Sequence, residues 1–92
     1  MDDIAGWRKQ IDEIDAQIVR LLNERAQCAL EIGRIKAQHG MKIFSPVREQ
    51  EIFTNIFQKN RGPLPDDALL RLFKRIVEEC RNLEKNDSIH GL

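Results

Sequence analysis

Residues 4–36 read IAGWRKQIDEIDAQIVRLLNERAQCALEIGRIK, and their spacing decides the fold. Stepping back from Ile35 by alternating threes and fours reaches Ile32, Cys28, Arg25, Leu21, Ile18, Ile14, Ile11, Trp7 and Ile4. Apolar residues held in that alternation over so many turns specify one long helix with a single supercoiled seam. No proline interrupts the stretch. Gly6 and Gly33 each cost roughly 1 kcal/mol relative to alanine, too little to break so long a pattern. Asp2 or Asp3 is placed to cap the start and His39-Gly40 to end it, so the first helix is predicted from about Asp3 to Gln38.

The remaining chain breaks into two shorter helices. Ser45-Pro46 combines a good N-cap with proline at the first helical position. That second helix carries Ile52, Phe53, Ile56 and Phe57 on one side and stops near Asn60-Arg61-Gly62. The turn GPLPDD comes next, with Asp66 or Asp67 as the following cap. A third helix, about Asp67 to Lys85, presents Leu69, Leu72, Phe73, Ile76, Val77, Cys80 and Leu83 inward. The tail NDSIHGL, 86–92, lacks a pattern and is expected to fray. No useful run alternates with period two. The expectation is an all-α chain of three helices forming one domain over 1–92, its core about 4–85.

Length then constrains assembly. A helix of about 36 residues spans roughly 54 Å, whereas a compact chain of this size has a radius of gyration near 12 Å. The residues outside the first helix cannot cover its whole apolar stripe. A second copy is therefore predicted to do so, in an antiparallel or intertwined helical homodimer.

Fifteen basic and fifteen acidic side chains cancel, leaving no net field to favour nucleic acid or a membrane surface. No apolar run approaches the ~20 residues that cross a bilayer, and the polar, acidic start MDDIAGWRKQ is unlike a signal peptide. The cytoplasm is the expected compartment. Cys28 and Cys80 lack the spacing of a metal or redox site and are read as reduced, buried thiols. No metal or cofactor motif is present.

Arg25 is the anomaly of the seam. Lys36, eleven residues on, lies about 20° from the same direction and ~16 Å along the axis. The two cations could bracket a small anion, or Arg25 could pair with a glutamate while Lys36 snorkels to solvent. Arg8 is roughly 25 Å from Arg25 along the helix, so it could reach such a site only in an antiparallel partner. Arg48 and Glu49 open the second helix, with Arg48 expected to point toward the first helix. Cys80 and Glu84 continue the apolar line of the third. The collection Arg8, Arg25, Lys36, Arg48, Glu49 and Glu84 holds dianions and donates hydrogen bonds but offers no evident nucleophile. His39 and His90 sit in a loop and a tail. The chemistry is restricted to binding, or to a reaction that needs only orientation and electrostatics.

The order of WRKQIDEID, LLNERAQCALEIGRIK, SPVREQEI and LFKRIVEECRNLE resembles the all-helical chorismate mutases over roughly residues 4–85. The resemblance implies an intertwined dimer with two equivalent pockets that convert chorismate to prephenate by a cofactor-free Claisen rearrangement. It implies that Arg25, together with Arg8 from the other chain, clamps the two carboxylates. Lys36 would serve one carboxylate and the ether oxygen, Arg48 the binding network, and Glu49 the substrate hydroxyl. Two positions, Ser45 and Glu84, depart from the commonest family pattern. Ser45 stands where aspartate is frequent, and Cys80 where some members have serine. Glu84 stands where many members have a glutamine that donates to the ether oxygen; glutamate can donate only as the acid. Neighbouring readings stay open: an isochorismate pyruvate-lyase of the same fold, a non-catalytic sensing module associated with a shikimate-pathway synthase, or a helical scaffold.

Overall fold

The computed structural model describes residues 3–90, with side chains described through Asn86. Asp3 caps the first helix by accepting a hydrogen bond from the Gly6 N–H through its side chain, and α1 runs Ile4–Gln38. The alternative cap, Asp2, lies outside the described residues. At the other end Gly40 adopts φ +63°, a conformation open to glycine at little cost. There the Gly40 N–H donates to Ala37 O at 3.4 Å and the Met41 N–H to Lys36 O at 2.8 Å. That pair of bonds is a Schellman termination, so His39-Gly40 stops the helix as expected.

Ser45 caps α2 (Pro46–Lys59), its hydroxyl accepting from the Arg48 N–H at 3.3 Å, with Pro46 in the first turn. Beyond α2 the Asn60 side chain organises the turn. It accepts from the Gly62 N–H at 2.9 Å and donates to Leu64 O at 2.9 Å and Asp66 Oδ1 at 2.7 Å. This changes the start of α3 (Asp66–His90): neither Asp66 nor Asp67 is its cap, and both lie in the first turn. Asn60 occupies the Asp66 carboxylate, and Pro65 O accepts the N–H groups of Ala68 and Leu69 instead. The helix also runs past Lys85 to His90, because 86–89 contain no glycine or proline to stop it. Of the expected frayed tail, Gly91 and Leu92 fall outside the described residues.

The fold is all-α, three helices with no strand among the described residues. The third helix is the middle one, packing on α1 along one side and on α2 along another. Small residues let it come close: Ala29, Gly33, Val77 and Cys80 are buried at the α1–α3 contact. A Cβ added at Gly33 would lie 3.1 Å from Glu84 Cβ and 3.2 Å from its Cγ, so glycine is what permits the crossing.

Only the C-terminal part of α1 gains this cover. Trp7 is 61% exposed and Ile11 53%, and Ile4, Ile14, Ile18 and Leu21 stand open with them. Two inward assignments on α3 also change, since Leu72 is 54% exposed and Leu83 lies at the margin. On α2, Ile52, Phe53 and Ile56 are half-buried while Phe57 is exposed. The chain measures 57 × 25 × 15 Å with a radius of gyration of 16.6 Å, well beyond the ~12 Å of a closed globule of this length. No helix among the described residues is long and apolar enough to cross a membrane.

Candidate active site

The two cations singled out on α1 meet in one hollow. Arg25, Cys28, Ala29, Ile32 and Lys36 form its α1 wall. Ile43, Ser45, Arg48, Glu49 and Ile52 close it from the loop and α2, and Val77, Cys80, Arg81 and Glu84 from α3. The cavity measures about 220 Å³, smaller than the ~300–1,000 Å³ of most complete small-molecule sites. Each wall has a local cause. The seam register turns Arg25 and Lys36 the same way, the Ser45 cap sets the first turn of α2 against the hollow, and the Gly33 crossing brings Glu84 in from α3.

The hydrogen bonds hold the polar groups at defined points. Arg25 Nη1 donates to Cys80 Sγ at 3.1 Å, so the arginine in the seam meets α3 through a thiol rather than a glutamate. Lys36 Nζ donates to Ile43 O at 2.9 Å and lies 3.9 Å from Glu84 Oε2. Lys36 is therefore folded into the site and does not snorkel to solvent. The Glu84 side chain is only 12% exposed, and its Oε2 is buried without a hydrogen bond. Desolvation pushes its pKa above the ordinary 4.5, outweighing the lowering pull of Lys36 first and Arg25 second. Such a carboxyl keeps its proton to higher pH than a surface glutamate and can then donate it in a hydrogen bond.

The other expected residues divide. Ser45, Glu49 and Cys80 line the hollow. Arg48 lines it too, but its side chain is 62% exposed and 3.4 Å from Glu51. It does not turn onto α1, because α2 packs on α3. Arg8 is exposed and outside this cavity in the single chain. Cys28 is a free thiol like Cys80, but exposed rather than buried. One charged lining residue escaped the sequence reading. Arg81 Nη1 pairs with Glu49 Oε2 at 2.8 Å, and its guanidinium lies 4.6 Å from the centre of the Phe44 ring. The signal was available, because Arg81 stands four residues after Val77 and three before Glu84 on the same face of α3. Among the described residues no group of three or more histidine, cysteine, aspartate or glutamate side chains could hold a metal ion.

Comparison with known proteins bears on this arrangement. The family described as chorismate mutase type II matches residues 7–85. A bifunctional chorismate mutase/prephenate dehydratase of Aquifex aeolicus is 43% identical over 89 residues, covering 92% of this chain and 25% of that protein. The chain thus spans about a quarter of the length of that relative. A solved chorismate mutase of Thermus thermophilus superposes with a TM-score of 0.87 at 36% identity, covering 89% of this chain and 93% of that one. The chorismate mutase of Helicobacter pylori, solved in complex with prephenate, gives a TM-score of 0.86 at 28% identity, covering 97% and 96%.

Proposed function

The chain belongs to the type II chorismate mutase family, and we propose that it converts chorismate to prephenate as an isomerase of aromatic amino-acid biosynthesis. The reaction is internal to the substrate: the ether C–O bond breaks, a C–C bond forms, and no atom enters or leaves. The observation that carries this reading is the convergence of Arg25, Lys36 and Glu84 in one hollow. Two cations suit a dicarboxylate, and a buried acid suits an oxygen that gains charge.

In this mechanism the arginines act before the chemistry. Arg25 grips one carboxylate, and Arg8 of a second copy grips the other, holding the enolpyruvyl arm over the ring so that the bond-forming carbons meet. Negative charge then grows on the ether oxygen. Lys36 Nζ and the Glu84 acid proton stabilise it there more than in the ground state. Arg48, Ser45 and Cys80 complete the polar wall, and Glu49 accepts the ring hydroxyl.

The shared site is part of the proposal. The cavity's modest volume and the bare stripe from Ile4 to Leu21 both support an intertwined homodimer, in which the second copy covers the stripe and supplies the missing wall. We place the protein in the cytoplasm, with no membrane or nucleic-acid partner. Association with a separate shikimate-pathway synthase is a subsidiary expectation, to be checked by co-purification. The deciding experiment measures loss of chorismate absorbance with purified protein, then uses an acid step that converts prephenate to phenylpyruvate. Isochorismate is offered in parallel. Salicylate and pyruvate from it, with chorismate untouched, would replace the mutase reading by the lyase.

A further inference from the structure

Arg81 has no part in that mechanism, yet it joins three separate pieces of the site. It projects from α3, meets Glu49 on the first turn of α2, and stacks on Phe44 of the loop between α1 and α2. The pair with Glu49 is short, at 2.8 Å, and both side chains are mostly withdrawn from solvent. Arg81 provides the hydrogen bond made to the Glu49 carboxylate among the described residues. That carboxylate lines a cavity meant for a doubly negative guest. Uncompensated, it would repel the guest and be free to rotate; bonded at Oε2 to Arg81, it keeps Oε1 for a donor on the ligand.

We propose that Arg81 is a positioning residue that aims and neutralises Glu49, so that the site recognises the substrate's ring hydroxyl without repelling its carboxylates. The inference rests on the chorismate reading. Phe44 contributes by holding the guanidinium over its ring, 4.6 Å from the centroid, since a cation over a ring face is attracted to it.

The test is a double-mutant cycle read in kcat and KM for chorismate with the full chain. Arg81→Met in the unaltered background should lower kcat/KM about tenfold to a hundredfold, the range for losing a hydrogen bond between charged groups. In a Glu49→Gln background the same change should cost less than about threefold, because its target is gone. Arg81→Lys, which keeps the charge and folds without leaving Glu49 unpaired, should recover most of the KM. Equal losses in both backgrounds, or a lysine variant no better than methionine, would overturn the positioning role while the mutase reading stands. An unaltered protein inactive on chorismate would overturn that reading and this proposal with it.

Discussion

Replacing Glu84 with glutamine removes one dissociable proton and leaves the shape of the cavity almost unchanged. The surroundings of that proton determine the effect. Glu84 Oε2 is buried without a hydrogen bond, and Lys36 Nζ at 3.9 Å is close enough for attraction but too far to donate. Arg25 and Lys36 on α1, Arg48 and Glu49 on α2 and Arg81 on α3 share the hollow. Desolvation nevertheless wins, and the carboxyl titrates above the ordinary 4.5. If the acid form is the donor, kcat falls about tenfold per pH unit once the pH exceeds the pocket pKa. Over two such units the unaltered protein loses about a hundredfold, whereas Glu84→Gln, which donates at every pH, stays level within roughly twofold. The assay is the rate of chorismate disappearance at saturating substrate across the range. Stability supplies a second readout with its own sign. Between the ordinary pKa and the raised one, the folded chain binds more protons than the unfolded chain, so stability drops as pH rises through that window. The glutamine variant should not show that drop. An unaltered protein whose rate is level or rises through the window, or a variant that keeps the alkaline fall, would refute the acid-donor argument.

Other substitutions separate the parts of the site. Arg25→Ala should reduce kcat/KM by several hundredfold or more, with unfolding free energy changed by less than ~1.5 kcal/mol because its contact here is with a thiol; retained turnover would mean that Arg25 does not grip a substrate carboxylate. If the proposed homodimer forms through the bare α1 stripe, Ile11→Asp together with Ile14→Asp should leave single chains by sedimentation and abolish turnover, and a dimer that survives would mean that another face pairs. Ser45→Ala should cost about 1 kcal/mol through the lost cap and change kcat less than about threefold. A much larger rate loss would mean that the Ser45 hydroxyl touches substrate.

Much of this architecture is legible in the chain because helices announce themselves locally. The α1 seam, the Ser45-Pro46 start and the Gly40 stop each depend on neighbours a few residues apart, and each is present in the structure. Reading fails where a distant partner changes the local rule. Asp66 is a good cap by type, but Asn60 takes its carboxylate. Leu72 has the spacing of a core residue, yet nothing within the chain covers it. Arg48 continues an apolar line, yet α2 faces α3 rather than α1. Arg81 was missed for the opposite reason. Its two partners are 32 and 37 positions away, so its charge looked like ordinary surface until the loop and α2 were folded back onto it. Arg25 and Lys36 could be paired from helical geometry alone, because both belong to one rigid element.

Lys36 has two jobs in one turn of chain. Its carbonyl receives the Met41 N–H that terminates α1, and its ammonium reaches the Ile43 carbonyl just beyond. Stopping the helix and aiming the ammonium are thus a single local event, complete within eight residues from Lys36 to Ile43. The spacing of that short bend acts as a ruler for the charge. Lengthening it by one residue would change no side chain and still part the Ile43 carbonyl from the Lys36 ammonium that it holds, so tolerance to insertions, ordinarily the privilege of loops, is forfeited here.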